Sequence, residues 1–104
     1  MSDEITSVTL VVLRRWRNTG DLIALFPALP ADYQGLFVDS YMHVGQHAAA
    51  DYHGVVLATT PASQEEAADL IRELERIGYR LKPIKRASRK QHEARRATAR
   101  AETA

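Results

Sequence analysis

The hydrophobic and polar positions in the first third of the chain follow the pattern of β-strands. Residues 5–13 are rich in β-branched side chains, and apolar positions recur there with a period of two. Turn-forming residues follow at 18–20, and the next apolar run, 22–26, stops at Pro27. The pattern predicts a β-hairpin whose first strand extends toward Trp16.

Three shorter segments are also predicted to be strands. Residues 36–42, 55–59 and 79–84 combine β-branched, aromatic and other apolar side chains, and glycine or proline residues separate them from their neighbours. We therefore expect a mainly antiparallel sheet of four or five strands.

The clearest predicted element is an amphipathic helix over residues 64–77. Ser63 stands three residues before Glu66 in the spacing of a capping box, and Gly78 is placed to end the helix. Its apolar side chains recur every three or four residues: Ala67, Leu70, Ile71, Leu74 and Ile77. Such a stripe should pack on one face of the sheet.

A second helix is predicted from a capping box at Ser88 and Gln91 to about Ala101. No bulky apolar residue follows Ile84, so this helix can bury only methyl groups, those of Ala94, Ala97 and Ala101. We expect it to lie outside the core and to fray in isolation.

These elements predict a two-layer α+β fold in one domain. The chain has 104 residues, enough for one core and too few for two independent ones. We assign residues 1–86 to a single α+β domain and residues 87–104 to a basic helical extension.

Composition narrows the environment and the chemistry. The chain has no cysteine, which excludes a disulfide framework, a thiolate nucleophile and cysteine-ligated zinc. It opens with acidic residues, and Arg14 and Arg15 interrupt the apolar run that follows, unlike a signal peptide or a membrane span. We expect a cytoplasmic protein that does not engage a membrane.

Charge is distributed unevenly along the chain. Residues 1–78 hold five basic and eleven acidic side chains, a net charge of −6, whereas residues 79–104 hold nine basic and two acidic ones, a net charge of +7. This asymmetry favours a polyanionic partner for the basic end, although solvated charge and docking onto the acidic body are alternatives.

The basic segment is the main candidate for nucleic-acid binding, because cationic side chains displace counterions from phosphates. On a helix, Arg89, Arg96 and Arg100 share one face. A second basic patch surrounds Trp16, although a tryptophan at a strand end more often closes the core. The candidate residues are Lys82, Lys85, Arg86, Arg89, Lys90, Arg95, Arg96, Arg100, Arg15 and Arg17.

Three of the four histidines lie within residues 39–53. If a helical turn formed there, His43 and His47 would point the same way, and Asp51 or His53 could complete a three-ligand zinc site. The spacing is not specific, because no glutamate follows the first histidine as a metalloprotease helix requires. We therefore predict no metal site.

An acid–base interpretation is available for the same segment. Asp39, Tyr41 and His43 alternate onto one face of the third strand, where a carboxylate could fix the tautomer of an imidazole. Because no nucleophile signature accompanies them, structural roles are favoured. We predict no catalytic residue and no cofactor.

Three stretches, RRWRNTGDLIALFP, YMHVGQHAAADYHGVV and ELERIGYRLKPIKRAS followed by HEARR, resemble a family of small uncharacterised proteins of bacterial genomes, plasmids and phages. The resemblance spans nearly the whole chain. It implies a mobile-element origin and transfers no activity and no site residue.

The leading hypothesis is a non-enzymatic binding protein that engages nucleic acid or a nucleoprotein through its basic C-terminal segment. A rival is a phage or plasmid inhibitor of a host defence system, anti-CRISPR-like, which contacts a host protein complex through acidic loops at Asp32, Asp39 and Asp51. A third is a small metal-dependent or acid–base enzyme using the histidine cluster. An exposed sheet edge could also pair two copies into a homodimer.

Overall fold

The computed structural model describes residues 8–43 and 46–103, so the predicted strand residues 5–7 lie outside the described part. The elements in chain order are β1 (Thr9–Trp16), β2 (Leu22–Pro30), β3 (Val38–Tyr41), β4 (His47–Ala50), α1 (Tyr52–Ala58), β5 (Thr59–Pro61), α2 (Ala68–Ile77), β6 (Leu81–Ile84) and α3 (Arg89–Thr103). The predicted α+β class, with its antiparallel sheet and C-terminal helix, is confirmed.

The described strands form one sheet in the order β4-β3-β2-β1-β5, with antiparallel neighbours. The strand β6 runs parallel to β1 and pairs with its residues 9–12, whereas β5 pairs with residues 14–16. Two short strands therefore share one edge of β1.

The second strand does not end at Pro27 as predicted. It continues to Pro30, and its register with β3 shifts between Phe26 and Pro30. An irregularity of this kind accommodates proline, which has no backbone N–H to donate to the ladder. It also lets the Pro27 carbonyl accept a side-chain hydrogen bond from outside the sheet.

The prediction of a strand at residues 55–59 is wrong. Most of this segment belongs to helix α1, and β5 begins only at Thr59. Tyr52 and Val55 are both buried, and their spacing of three residues places them on one face of the helix. Packing of that face on the sheet overrides the β-propensity of the valines.

Both faces of the sheet are covered, and the strands alternate between them. On one face, Val11, Leu13, Ala24 and Phe26 pack with Leu70, Leu74 and other α2 residues. On the other, Val12, Ile23, Leu25 and Val38 pack with Tyr52 and Val55 of α1. Strands buried on both sides read as continuous apolar runs, which is the pattern of 22–26.

The predicted capping box forms in the turn before helix α2, and the predicted stop lies at the end of the helix. The backbone N–H of Ser63 donates to Glu66 Oε1 at 2.9 Å, and the Glu66 N–H donates to Ser63 Oγ at 3.0 Å. Turns occupy residues 64–67, so the α-helix itself begins at Ala68, later than predicted. It ends at Gly78, whose φ of 124° suits glycine.

Helix α3 begins with the predicted second capping box, in which Ser88 and Gln91 exchange hydrogen bonds of 2.7 and 3.1 Å. Its predicted position outside the core is wrong. His92, Arg95 and Ala99 are 6%, 3% and 1% exposed, and they lie on one face of the helix. The alanines predicted to form the buried face, Ala94, Ala97 and Ala101, are exposed.

Candidate functional site

Arg95, one of the predicted nucleic-acid contacts, is an internal anchor. Its Nε donates to the Gly35 carbonyl at 2.9 Å, and its Nη1 donates to the Pro27 carbonyl at 2.9 Å and to His92 Nδ1 at 2.8 Å. Because the side chain is 3% exposed and these donors are engaged, Arg95 is not available to a phosphate. Its role in the described structure is to hold α3 on β2 and the loop that follows.

Gly35 is where that loop meets the helix. It has a φ of 72°, and a Cβ at this position would lie 2.7 Å from the Arg96 Cα and 3.1 Å from the Ala99 Cβ. Only glycine permits this approach, because real Cβ atoms essentially never come so close to another heavy atom. The close packing sets the position of α3 along the sheet.

A cleft of about 600 Å³ lies between α1 and the start of α3. We call it the arginine cleft and define it by Tyr52, His53, Arg86, Arg89, His92 and Arg96. The capping box starts α3 at the cleft, and the Ala87 N–H donates to Tyr52 Oη at 2.7 Å, which ties the preceding turn to α1. Residues far apart in sequence are thereby brought into one site.

The arginine cleft is positively charged. Among the described residues, Arg86, Arg89 and Arg96 form no salt bridge, and Glu93 is the lining carboxylate that offsets part of their charge. Burial lowers the pKa of His92 from its usual value, and the nearby charges of Arg95, His53 and Arg96 lower it further. The lowered pKa favours the neutral form of His92.

The tautomer of His92 follows from its contact with Arg95. A guanidinium group only donates, so Nδ1 accepts and the neutral ring carries its proton on Nε2. Within residues 8–43 and 46–103, Nε2 of His92 is the buried side-chain polar atom that lacks a hydrogen-bond partner. A buried donor without an acceptor is unfavourable, which makes this atom a candidate ligand contact.

Three rings form the wall of the cleft. The centroids of Tyr52 and His92 are 4.7 Å apart at an interplanar angle of 71°. His53 lies 5.5 Å from Tyr52 and 5.1 Å from His92. Aromatic rings next to cations are suited to a ligand with a flat π-system and an anionic group.

The two predicted nucleic-acid contacts at the end of β1, Arg15 and Arg17, lie in different places. Arg15 forms a 3.5 Å salt bridge with Glu66 beside α2, on the face of the sheet opposite the arginine cleft. Arg17 is exposed and its Nη1 donates to the Leu57 carbonyl near the end of α1. The structure therefore does not bring Arg15 together with the arginines of α3.

The remaining basic candidates do not line the cleft. Lys82, Lys85, Lys90 and Arg100 are all exposed. Lys85 instead lines a notch between β5 and β6, beside Leu13 and Ser63. Of the predicted shared face of Arg89, Arg96 and Arg100, the first two turn toward His92 and line the cleft.

The sheet separates the histidines that were considered as metal ligands. His47 Nε2 is 2.9 Å from Tyr79 Oη on the α2 side, whereas His53 contacts His92 on the other side. No group of three His, Asp or Glu side chains suited to a metal ion occurs among the described residues, which include His43 and Asp51. The described part of the chain does not assemble the zinc site that was considered.

The residues of the acid–base interpretation of β3 differ in their surroundings. Tyr41 is fully buried, and its hydroxyl donates to Glu73 Oε2. His43 lies beyond the strand end and is exposed. The residues of this strand face contribute to the core and to its attachment to α2.

Sequence reasoning missed an exposed aromatic loop next to α3. Tyr33, Leu36 and Phe37 are 70%, 52% and 45% exposed, and they lie within two residues of Gly35, which touches Arg96. The basic segment itself has no Phe, Tyr or Trp after Tyr79. The sequence signal for this loop was the position of Gly35 between Pro30 and the next strand. A glycine there does not reveal that the loop contacts α3.

Comparison with known proteins supplies no further assignment. No family model, no curated protein and no solved structure matches the chain. Among the described residues, no helix is both long enough and apolar enough to cross a membrane.

Proposed function

We propose that this chain is a non-enzymatic binding protein that engages nucleic acid, alone or within a nucleoprotein, through the arginine cleft and the exposed basic side chains of its C-terminal segment. The observation that carries the proposal is the set of three arginines at the cleft, Arg86, Arg89 and Arg96, which have no salt-bridge partner among the described residues. Phosphate groups are the common biological partners of such clusters.

The neighbouring loop adds to this support. Tyr33 and Phe37 expose their rings beside the helix that carries Arg96. Single-stranded nucleic acid binds to surfaces that combine cations for the backbone with aromatic rings for the bases. The resemblance to small proteins of plasmids and phages is consistent with a protein that acts by binding.

The test is fluorescence anisotropy with labelled single-stranded and duplex DNA and RNA. Three phosphate contacts predict that affinity falls about 20- to 40-fold between about 50 mM and about 200 mM salt. The triple variant Arg86→Gln, Arg89→Gln, Arg96→Gln should lose most of the binding and most of the salt dependence.

A matched control is offered by Arg72, Arg76 and Arg80, which are exposed on and directly after α2. Replacing all three with Gln removes the same charge away from the cleft and should leave binding nearly unchanged. Equal losses of nucleic-acid affinity in the two triple variants would show that net charge alone accounts for the binding. Absence of binding by the native protein would overturn the proposal and direct work to a protein partner.

A further inference from the structure

The arginine cleft is a concave site rather than a flat basic face. Its volume of about 600 Å³ lies within the range of small-ligand sites, about 300–1,000 Å³. A pocket of this size can enclose one nucleotide unit. A basic helix face without a pocket would instead follow the phosphates of a strand.

The charge of the cleft suits a dianion. Three guanidinium groups surround it against the single carboxylate of Glu93. An internal phosphodiester carries one negative charge, whereas a terminal phosphate monoester carries nearly two at neutral pH and offers three acceptor oxygens. Planar guanidinium groups pair with such oxygens in a bidentate manner.

His92 is a second, independent feature that points to a ligand with acceptor atoms. The residue is 6% exposed and lines the cleft, and its Nε2 has no partner within the described residues. Because Nδ1 accepts from Arg95, Nε2 is the protonated nitrogen and needs an acceptor. The atom is shielded from solvent, so an oxygen of a bound phosphate would satisfy it after a small movement of the ring or of its neighbours.

One ring in the wall provides a place for the base. His53 is exposed and lines the same cleft as the arginines, whereas Tyr52 is 4% exposed and packs in the core. Stacking on an aromatic ring tolerates every base, so it would add affinity without sequence preference.

We propose that the arginine cleft binds a nucleoside phosphate monoester, with Arg86, Arg89 and Arg96 holding the phosphate, His92 Nε2–H donating to it, and the exposed His53 ring contacting the base. The ligand can be the phosphorylated end of a strand or a free nucleoside monophosphate, which share this chemistry. The inference deepens the proposed function. It rests on the proposed function where the ligand is the phosphorylated end of a strand.

The experiment compares ligands that differ only in the phosphate. Oligonucleotides of one sequence with a 5′-phosphate, a 3′-phosphate or hydroxyl ends are titrated into the full chain, alongside adenosine monophosphate, adenosine and inorganic phosphate. A phosphorylated end should tighten binding about tenfold or more, because hydrogen bonds to charged groups are the strong ones. Adenosine monophosphate should bind more tightly than adenosine.

Two further measurements test the assigned contacts. Arg89→Gln should abolish the gain from the terminal phosphate, whereas Arg76→Gln on α2 should preserve it. In a nitrogen–proton correlation spectrum, the Nε2–H signal of His92 should shift on addition of adenosine monophosphate and stay unchanged with adenosine. The spectrum needs no variant of His92, so it does not depend on a substitution that could unfold α3.

The outcomes separate the inference from the proposed function. Salt-sensitive binding that is equal for phosphorylated and hydroxyl-ended strands, without a shift at His92, overturns the inference and leaves the proposed function intact. Binding of adenosine monophosphate without binding of any strand supports the pocket and overturns the proposed function. Binding of neither overturns both.

Discussion

Helices α2 and α3 share a sequence signal at their start and dock differently. A serine followed three residues later by a glutamate or glutamine precedes each helix, and both capping boxes form. Helix α2 begins only after the turn at 64–67, whereas α3 begins directly after its serine. Helix α2 buries Leu70 and Leu74 in an apolar cluster. Helix α3 covers the opposite face and buries His92, Arg95 and a single methyl group, that of Ala99.

The two helices therefore depend on different forces. An apolar stripe gains stability from any well-packed position over the sheet, since hydrophobic burial has no direction. The anchor of α3 is directional, because Arg95 needs the carbonyls of Pro27 and Gly35 at hydrogen-bond distance. Such an anchor holds the helix in one place, and with it the relative positions of Arg89, His92 and Arg96 in the arginine cleft.

The largest expected effect comes from removing the anchor of either helix. Arg95→Met should lower the free energy of unfolding by about 3 kcal/mol or more, because each buried carbonyl left without a donor costs about 1–3 kcal/mol.

Leu74→Ala on α2 should lower the free energy of unfolding by about 2–5 kcal/mol through loss of apolar burial and the cavity left behind. Urea denaturation followed by circular dichroism measures both.

Arg96→Met is the control for the first substitution, since Arg96 is one residue away and forms no salt bridge within the described residues. It should change the free energy of unfolding by less than about 1 kcal/mol. If Arg95→Met were as stable as the native chain, the docking of α3 would not depend on its guanidinium group, and the contrast with α2 would fail.

The next effect isolates the close approach at Gly35. Gly35 and Gly20 both have a positive φ, of 72° and 82°, but only Gly35 has neighbours within 4 Å of an added Cβ. Gly20→Ala should lower the free energy of unfolding by about 1–2 kcal/mol through backbone strain. Gly35→Ala should lower it by about 1–3 kcal/mol more, because the added methyl group overpacks the contact with α3.

Thermal denaturation of the two alanine variants side by side checks this prediction. Equal losses of stability in the two variants would mean that α3 shifts to accommodate the added methyl group at position 35 without a measurable cost. Nucleic-acid binding should weaken in Gly35→Ala more than in Gly20→Ala, because only the first moves Arg96.

The smallest expected effect is a pH dependence of the free energy of unfolding that originates at His92 on α3. Burial and the neighbouring cations hold the pKa of His92 below its usual value, so the unfolded chain takes up a proton at this residue at a higher pH than the folded chain. The contribution of neutral His92 to stability is complete above about pH 6.5, the pKa of histidine in the unfolded chain. It is lost as the pH falls toward the pKa of His92 in the folded chain.

The check is the free energy of unfolding between pH 7.5 and pH 5, values chosen to be about one unit or more on either side of the unfolded pKa. His92→Gln keeps an acceptor for Arg95 and removes the titrating ring, so its stability should fall less steeply on acidification. Parallel curves for the two proteins would assign the acid sensitivity to other groups. Carboxylates contribute equally to both curves and cancel in the comparison.

Local signals in the sequence were sufficient for a large part of the fold. The turn at residues 18–20, the two capping boxes and the stop at Gly78 each depend on residues within a few positions of one another, so a single sequence reveals them. The same holds for the basic segment, whose composition alone marks Arg86, Arg89 and Arg96 as candidate contacts.

The sequence by itself thus determined the class of the fold, the stop of α2, the start of α3 and the segregation of charge, because these follow from neighbouring residues and composition. Only the tertiary structure decided that residues 52–58 form a helix, that Arg95 turns inward, and that Tyr52 and His53 meet His92. Each of these depends on partners more than 30 residues away. A helix without an apolar stripe carries no local mark of the face it buries, since that face is selected by the distant carbonyls it can reach.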